Sequence, residues 1–227
     1  MSVTAVIVAG GSGTRLGMDI PKAFVPLGTK PLLCHSYAVF AVCEDIEEII
    51  VVVPQSHIAE TRKILSDQEI RKTHRVISGG SQRWISVRNG VCGAQTELVL
   101  IHDAARPFVT TDILHRLCKN LRDYAGVITA TPVVDTVRYF EKGLCGTTLD
   151  RSRLIAVGTP QLFRRSILVS CYDNIDSLPS IPTDEAMLLE QNDIPVAWAE
   201  GDPLNFKITT PADYTMAQCI IREGYDN

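Results

Sequence analysis

The sequence predicts an α/β fold: a Rossmann-like, doubly wound, mostly parallel sheet in one domain, with a β-hairpin arm projecting from it. Three observations support this. Residues 3–9, 49–53, 98–101 and 127–130 are short, β-branched apolar runs bounded by glycine, proline or charge, as strands buried on both faces are. Helical patterns fall between them, which argues for strands joined by crossover helices. A glycine cluster, Gly10, Gly11 and Gly13, directly follows the first run, at the carboxyl edge where open α/β sheets bind ligands.

The elements follow in order. Ile113, Leu114, Leu117, Cys118 and Leu121 lie at the spacing of one helix face, with Thr111 at the N-cap position and Asp112 in the first turn. Residues 212–221, introduced by Pro211, predict a C-terminal helix. The rhythm breaks over about 133–157, where apolar and polar residues alternate around Gly143 and Gly146; this is the hairpin signal of the arm. No linker, repeat or shift of composition divides the chain, so residues 1–227 are expected to form a single domain. Four points converge on the carboxyl edge of the sheet: the loop 10–17, the pair Gly79-Gly80, His102-Asp103 and Thr131.

The bulk properties narrow the function. A net charge of −4 argues against broad attraction to nucleic acid or an anionic membrane, so an anionic ligand must be caught by a local basic cluster. No segment approaches the ~20 apolar residues that span a bilayer, and no basic stretch precedes the first apolar run. The seven cysteines (Cys34, Cys43, Cys92, Cys118, Cys145, Cys171 and Cys219) form no C-x-x-C pair, and the five histidines no H-x-x-x-H. This predicts buried free thiols in a reducing, cytoplasmic setting rather than disulfides or a zinc site.

The glycine loop fits neither of two familiar types. A Walker loop needs Gly-Lys-Ser or Gly-Lys-Thr, which is absent; the dinucleotide fingerprint needs a third glycine where Leu16 stands. Instead the loop carries Arg15 and is followed by Lys22 behind Pro21. Two cations beside backbone N–H groups suit a nucleoside triphosphate.

The stretch AGGSGTRLG followed by PK resembles the loop of sugar-phosphate nucleotidyltransferases. With GGSQRWISVRNG, HDAARPF, DRSRL, TPQLF, TDEA and NFKITTP in order, the chain resembles the 2-C-methyl-D-erythritol 4-phosphate cytidylyltransferase family over nearly its full length. The resemblance implies transfer of a cytidylyl group from CTP to a small alcohol phosphate, methylerythritol 4-phosphate, with Mg²⁺ as cofactor and release of pyrophosphate. It implies Arg15, Lys22 and Lys207 as catalytic cations and Asp103 as a metal ligand. Ala9, Gly10, Gly11, Gly80, Ser81 and Ser86 would bind the nucleotide; Arg106, Thr136, Arg151 and Thr159 would bind the acceptor. It further implies a homodimer whose arms exchange, so that Arg151 enters the neighbour's site. Arg83 would support nucleotide binding, while Trp84 and Trp198 read as packing residues.

The chain departs from the family pattern at several points. Gly10 stands where many relatives have alanine and Thr14 where many have a second basic residue. Ser81 replaces a frequent acid, and Leu204 a frequent aspartate. The first two also occur in ribitol- or ribulose-5-phosphate cytidylyltransferases, whereas HDAARPF favours methylerythritol. A hexose-1-phosphate nucleotidylyltransferase lacks the HDAARP and TPQ pair, and a non-catalytic nucleotide-binding subunit has no need of all three cations.

Overall fold

A computed structural model describes residues 2–11, 13, 16–18, 20–68 and 72–224. The first half runs β1 (Val3–Val8), the short pair β2 (Pro26–Leu27) and β3 (Lys30–Pro31), α1 (Leu32–Val42), β4 (Ile46–Val53), α2 (Ile58–Ser66), β5 (Thr73–Ser78) and α3 (Arg83–Gly93). The second half runs β6 (Leu98–Asp103), α4 (Thr111–Leu121), β7 (Gly126–Pro132), β8 (Arg138–Glu141), β9 (Leu144–Thr148) and β10 (Ile155–Arg164). It continues through α5 (Arg165–Asp173), α6 (Glu185–Glu190), β11 (Ala197–Glu200) and α7 (Pro211–Arg222).

Among the described residues the main sheet has seven strands in the order β11-β7-β10-β6-β1-β4-β5. β10 runs antiparallel to both neighbours, and the remaining pairs are parallel. The apolar runs are continuous because successive residues enter two cores. Val3, Ala5 and Ile7 of β1 pack with α1, α2 and α4, through residues such as Tyr37, Phe40, Leu65 and Leu117. Val6 packs on the other face with α3, α5 and α6, among them Val87, Val91, Leu168 and Leu188. A third cluster joins Leu16, Val25, Leu27 and Leu32 to Phe108, Ile208 and Ala217, fastening the C-terminal segment beside the glycine loop.

The expected doubly wound sheet and arm are both present, with local corrections. Helix α4 begins at Thr111, so Thr110 rather than Thr111 is its N-cap, and Asp112 lies in the first turn. Helix α7 starts one residue before the expected boundary and carries a capping box, in which the Thr210 and Asp213 side chains each accept from the other's backbone N–H. The arm hairpin is β8–β9, which among the described residues pair only with each other. Its turn residues Lys142 and Gly143 have φ of 50° and 80°, as a two-residue hairpin turn requires. Residues 155–157, expected in the arm, belong to β10 and pair with β7. Trp84 packs partly buried on the second core, whereas Trp198, on the edge strand β11, is 48% exposed and so only partly covered. The cysteines are all free, yet Cys92, Cys145 and Cys219 are exposed rather than buried. No described helix is long and apolar enough to cross a membrane.

Candidate active site

Parallel pairing brings the strand ends to one level. Val8 of β1 is level with Asp103 of β6, and the ladder continues past the strands: Ala9 N–H donates to Val52, Gly79 N–H to Val53 and Ala104 N–H to Val8. Above this edge lies a cavity of about 290 Å³ lined by Ala9, Gly10, Gly11, Lys22, Gly80, Ser81, Arg83, Ser86, Asp103 and Lys207, with Gln82, Ala104 and Ala105. Every residue predicted to bind the nucleotide is in that lining, together with two of the three predicted catalytic cations and the predicted metal ligand. The third cation, Arg15, lies outside the described residues.

Local chemistry explains the arrangement. Gly13 has φ of +75°, and a Cβ there would sit 2.8 Å from the Ile20 carbonyl, so the loop needs glycine to fold back on itself. The Lys22 backbone N–H then closes the loop on Gly11 at 3.2 Å. Lys22, 8% exposed, donates from Nζ to the Ile208 carbonyl at 2.9 Å. Ile208 is held by its N–H on Ala105 at 2.9 Å, which draws Lys207 into the cavity. Ser86 Oγ accepts from Gly80 N–H at 3.1 Å and lies 3.3 Å from the Gln82 carbonyl, so it shapes the loop 80–82 as well as lining the cavity.

Charge is concentrated on the cavity floor. Asp103 Oδ1 accepts from Arg83 Nε at 3.2 Å and Oδ2 from Lys207 Nζ at 2.6 Å. Burial opposes ionisation of Asp103, but Arg83 and Lys207 outweigh it and hold the carboxyl well below the usual carboxylate range. Arg83 Nη1 also donates to both oxygens of Glu185, at 3.0 and 3.1 Å. Burial disfavours the Arg83 charge, yet the two carboxylates keep it above the ordinary guanidinium range.

A second cavity, of about 210 Å³, shares Lys207 with the first and is lined by Arg106, Thr131, Gly158, Gly201, Asn205 and Phe206 among others. Arg106 Nη1 donates to the Asn205 carbonyl at 2.9 Å. Its Nε and Asn205 Oδ1 are buried with no hydrogen-bond partner among the described residues. An orphaned donor and an orphaned acceptor are what a ligand bearing phosphate and hydroxyl groups would satisfy.

His102, wholly buried, lies behind the two cavities, next to Asp103 of the first and bonded to Arg106 of the second. Its Nε2 lies 3.0 Å from the Arg106 carbonyl, which can only accept, so Nε2 carries the proton. Nδ1 then accepts from the Thr159 hydroxyl at 3.2 Å, and Thr159 Oγ1 accepts from Asp103 N–H at 3.0 Å. Thr159, predicted to bind the acceptor, lines neither cavity; it fixes Asp103 and His102 instead. Thr136 and Arg151 line neither cavity; both are exposed on the arm, where the Arg151 guanidinium bonds the Val134 carbonyl. The stretch TDEA supplies both Asp184 and Glu185. Glu185 was missed because its partner Arg83 is 102 residues away and no local pattern announces the contact.

Comparison with known proteins agrees with this geometry. The family model for IspD, 2-C-methyl-D-erythritol 4-phosphate cytidylyltransferase, matches residues 3–223. A 2-C-methyl-D-erythritol 4-phosphate cytidylyltransferase of Alkaliphilus metalliredigens is 36% identical over 99% of this chain and 95% of its own length. That of Geobacter metallireducens is 35% identical over 98% and 99%. Among solved structures, the 4-diphosphocytidyl-2C-methyl-D-erythritol synthase of Anaerococcus prevotii superposes with a TM-score of 0.85 at 27% identity, covering 97% of this chain and 98% of that one. The Thermus thermophilus cytidylyltransferase gives 0.81 at 29% identity, covering 98% and 100%. With a match from the first strand to the last helix, and with the strand-edge cavity built from the residues that the motifs named, the chain belongs to the 2-C-methyl-D-erythritol 4-phosphate cytidylyltransferase family.

Proposed function

We propose that the protein transfers the cytidylyl group of CTP to 2-C-methyl-D-erythritol 4-phosphate, forming 4-diphosphocytidyl-2-C-methyl-D-erythritol and pyrophosphate. The observation that carries this reading is the pair of adjoining cavities sharing Lys207, one lined by the glycine loop and one by Arg106. The acceptor phosphate attacks the α-phosphorus in line and pyrophosphate leaves. Because the nucleophile is already ionised, the protein's work is positioning and charge stabilisation.

Lys22 and Lys207 meet the charge that develops on the triphosphate, and Arg15 is assigned the same task from its motif. The backbone of Ala9, Gly10, Gly11, Gly80 and Ser81 presents donors and acceptors to the base. Arg106 offers guanidinium N–H groups to the acceptor phosphate, and Asn205 Oδ1 a hydrogen-bond acceptor to a hydroxyl.

Asp103 suits Mg²⁺: it is a hard oxygen donor kept ionised by its neighbours, and one carboxylate with phosphate oxygens and water is an ordinary ligand set for this ion. A bound Mg²⁺ would supply neutralising charge for the phosphates. The chain's contribution is to hold Asp103 through Arg83 and through the Asp103 N–H on Thr159.

A homodimer with exchanged arms is part of the proposal. The arm exposes Val134, Tyr139, Phe140 and Leu144, each between 64% and 79%, and apolar surface of that kind is suited to a partner. Exchange would give Thr136 and Arg151 a site to act in. The seven free cysteines suit a reducing cytoplasm.

The test is pyrophosphate release from CTP and Mg²⁺ with each acceptor offered separately. Release with methylerythritol 4-phosphate is expected. Release only with ribitol or ribulose 5-phosphate would overturn the acceptor, and none with any acceptor would overturn the reaction.

A further inference from the structure

Glu185 is 1% exposed at the first position of α6, in a place where neighbouring residues of that helix, Leu188 and Leu189, bury aliphatic side chains. A carboxylate costs several kcal/mol to bury and persists only where it is paired and hydrogen-bonded. Its two oxygens take Arg83 Nη1 at 3.0 and 3.1 Å, and Oε1 also accepts from the Tyr172 hydroxyl at 3.1 Å. Tyr172 is itself 1% exposed.

The start of α6 is anchored independently. Asp184 accepts from Met187 N–H at 2.9 Å through one oxygen and from Gln161 Nε2 of β10 at 2.9 Å through the other. The helix thus has a cap and a tether to β10 that do not involve Glu185. From it a row of contacts leads into the cavity: Tyr172 to Glu185, Glu185 to Arg83, Arg83 Nε to Asp103 Oδ1, and Asp103 Oδ2 to Lys207. Arg83 is one-quarter exposed and Lys207 more so; the row runs from dry interior to the mouth of the site.

We propose that Glu185, seated by Tyr172, is a positioning residue for the reaction: it fixes the Arg83 guanidinium, which sets the angle of the Asp103 carboxylate and so where Asp103 and Lys207 meet the metal-bound triphosphate. The inference rests on the nucleotidyl-transfer reading of the cavity. A guanidinium is suited to this because its fork addresses two carboxylates at fixed geometry, which a lysine cannot do. Residues that orient a metal-binding carboxylate from behind influence affinity and rate without touching substrate.

The experiment compares wild type, Glu185→Gln and Tyr172→Phe. Glu185→Gln keeps the shape and removes the charge; Tyr172→Phe removes only the hydroxyl that seats Glu185, and stands in should the first variant fail to fold. Wild-type turnover is measured first, since its absence would remove the reading of the site and leave this proposal without a reaction to serve. Turnover per folded molecule is then followed with KM for each substrate, and Mn²⁺ affinity of the protein–CTP mixture is followed by electron paramagnetic resonance without acceptor.

Expected for Glu185→Gln is a fall in kcat on the order of 10- to 100-fold. Mn²⁺ binding should weaken about 10-fold, with the acceptor KM within about twofold. Tyr172→Phe should lie between this variant and wild type in both readouts. An active wild type, with variants whose kcat and Mn²⁺ affinity stay within about twofold of it, would overturn the proposal. That holds even where their melting temperatures drop, because Glu185 would then be only a fastening of α6.

Discussion

His102 is buried among groups that each fix a proton: Nε2–H points to the Arg106 carbonyl, and Nδ1 receives the Thr159 hydroxyl. Burial pulls the imidazole down to about 4 from its usual 6.5, so the ring is neutral in the working protein. The unfolded chain takes up this proton first as pH falls. The stabilisation is therefore complete above the unfolded value and lost progressively from about pH 6.5 towards pH 4. Asp103, depressed below the carboxylate range, loses its contribution only at lower pH. Glu185, whose carboxyl is raised chiefly by burial, acts in the opposite sense. Comparing wild type with His102→Asn isolates the ring: between pH 7.5 and 5.0 wild type should lose about 2 kcal/mol more in urea unfolding than the variant. Parallel stability curves would show that the ring is not held neutral. At this scale the sequence was readable where a motif carried the residue, as with Lys22, Asp103 and Lys207. It was silent for Glu185 and Tyr172, because Glu185 meets Arg83 from 102 residues away and meets Tyr172 only once α5 and α6 have packed.

The elements differ in how plainly they were written. β1, β4, β6 and β7 each carry a mostly apolar run, residues 3–8, 49–53, 98–101 and 127–130, because both faces of the sheet are covered there. Helix α4 was visible because its buried side, Ile113, Leu114, Leu117 and Leu121, repeats at helical spacing. Helix α3 shows no such stripe, since it approaches the sheet through Gly90, where a Cβ would lie 2.3 Å from Val6 Cγ1. Strand β10 was hidden by Gly158 and Pro160, which interrupt its pairing with β7 between Val157 and Gln161. The arm was legible as a hairpin but not as a contact surface. If it joins two copies, light scattering should give twice the chain mass for wild type. Replacing Phe140 and Leu144 together by aspartate should give the single-chain mass and a large loss of turnover. A wild-type monomer at assay concentrations would contradict the exchange.

Across the whole molecule, one edge of the sheet collects groups from most of the chain's length. Lys22 follows the first strand, Gly80 and Arg83 the third parallel strand, and Asp103 ends the next. Lys207 arrives from beyond β11, tethered by Ile208 on Ala105 and by Arg106 on the Asn205 carbonyl. The order of motifs along the chain foretold that these residues belong together. The way they are held, by backbone ladders extended beyond the strands and by the third apolar cluster, is a property of the folded state alone. In the proposed reaction these cations stabilise charge in the transfer step rather than merely attract the nucleotide. Lys207→Gln tests it most directly, with turnover and calorimetric CTP affinity measured side by side on the same preparation. Expected is a fall in kcat of roughly 10²–10³, with CTP affinity changed less than about tenfold; a loss confined to CTP affinity, with kcat intact at saturating nucleotide, would show that Lys207 serves binding alone.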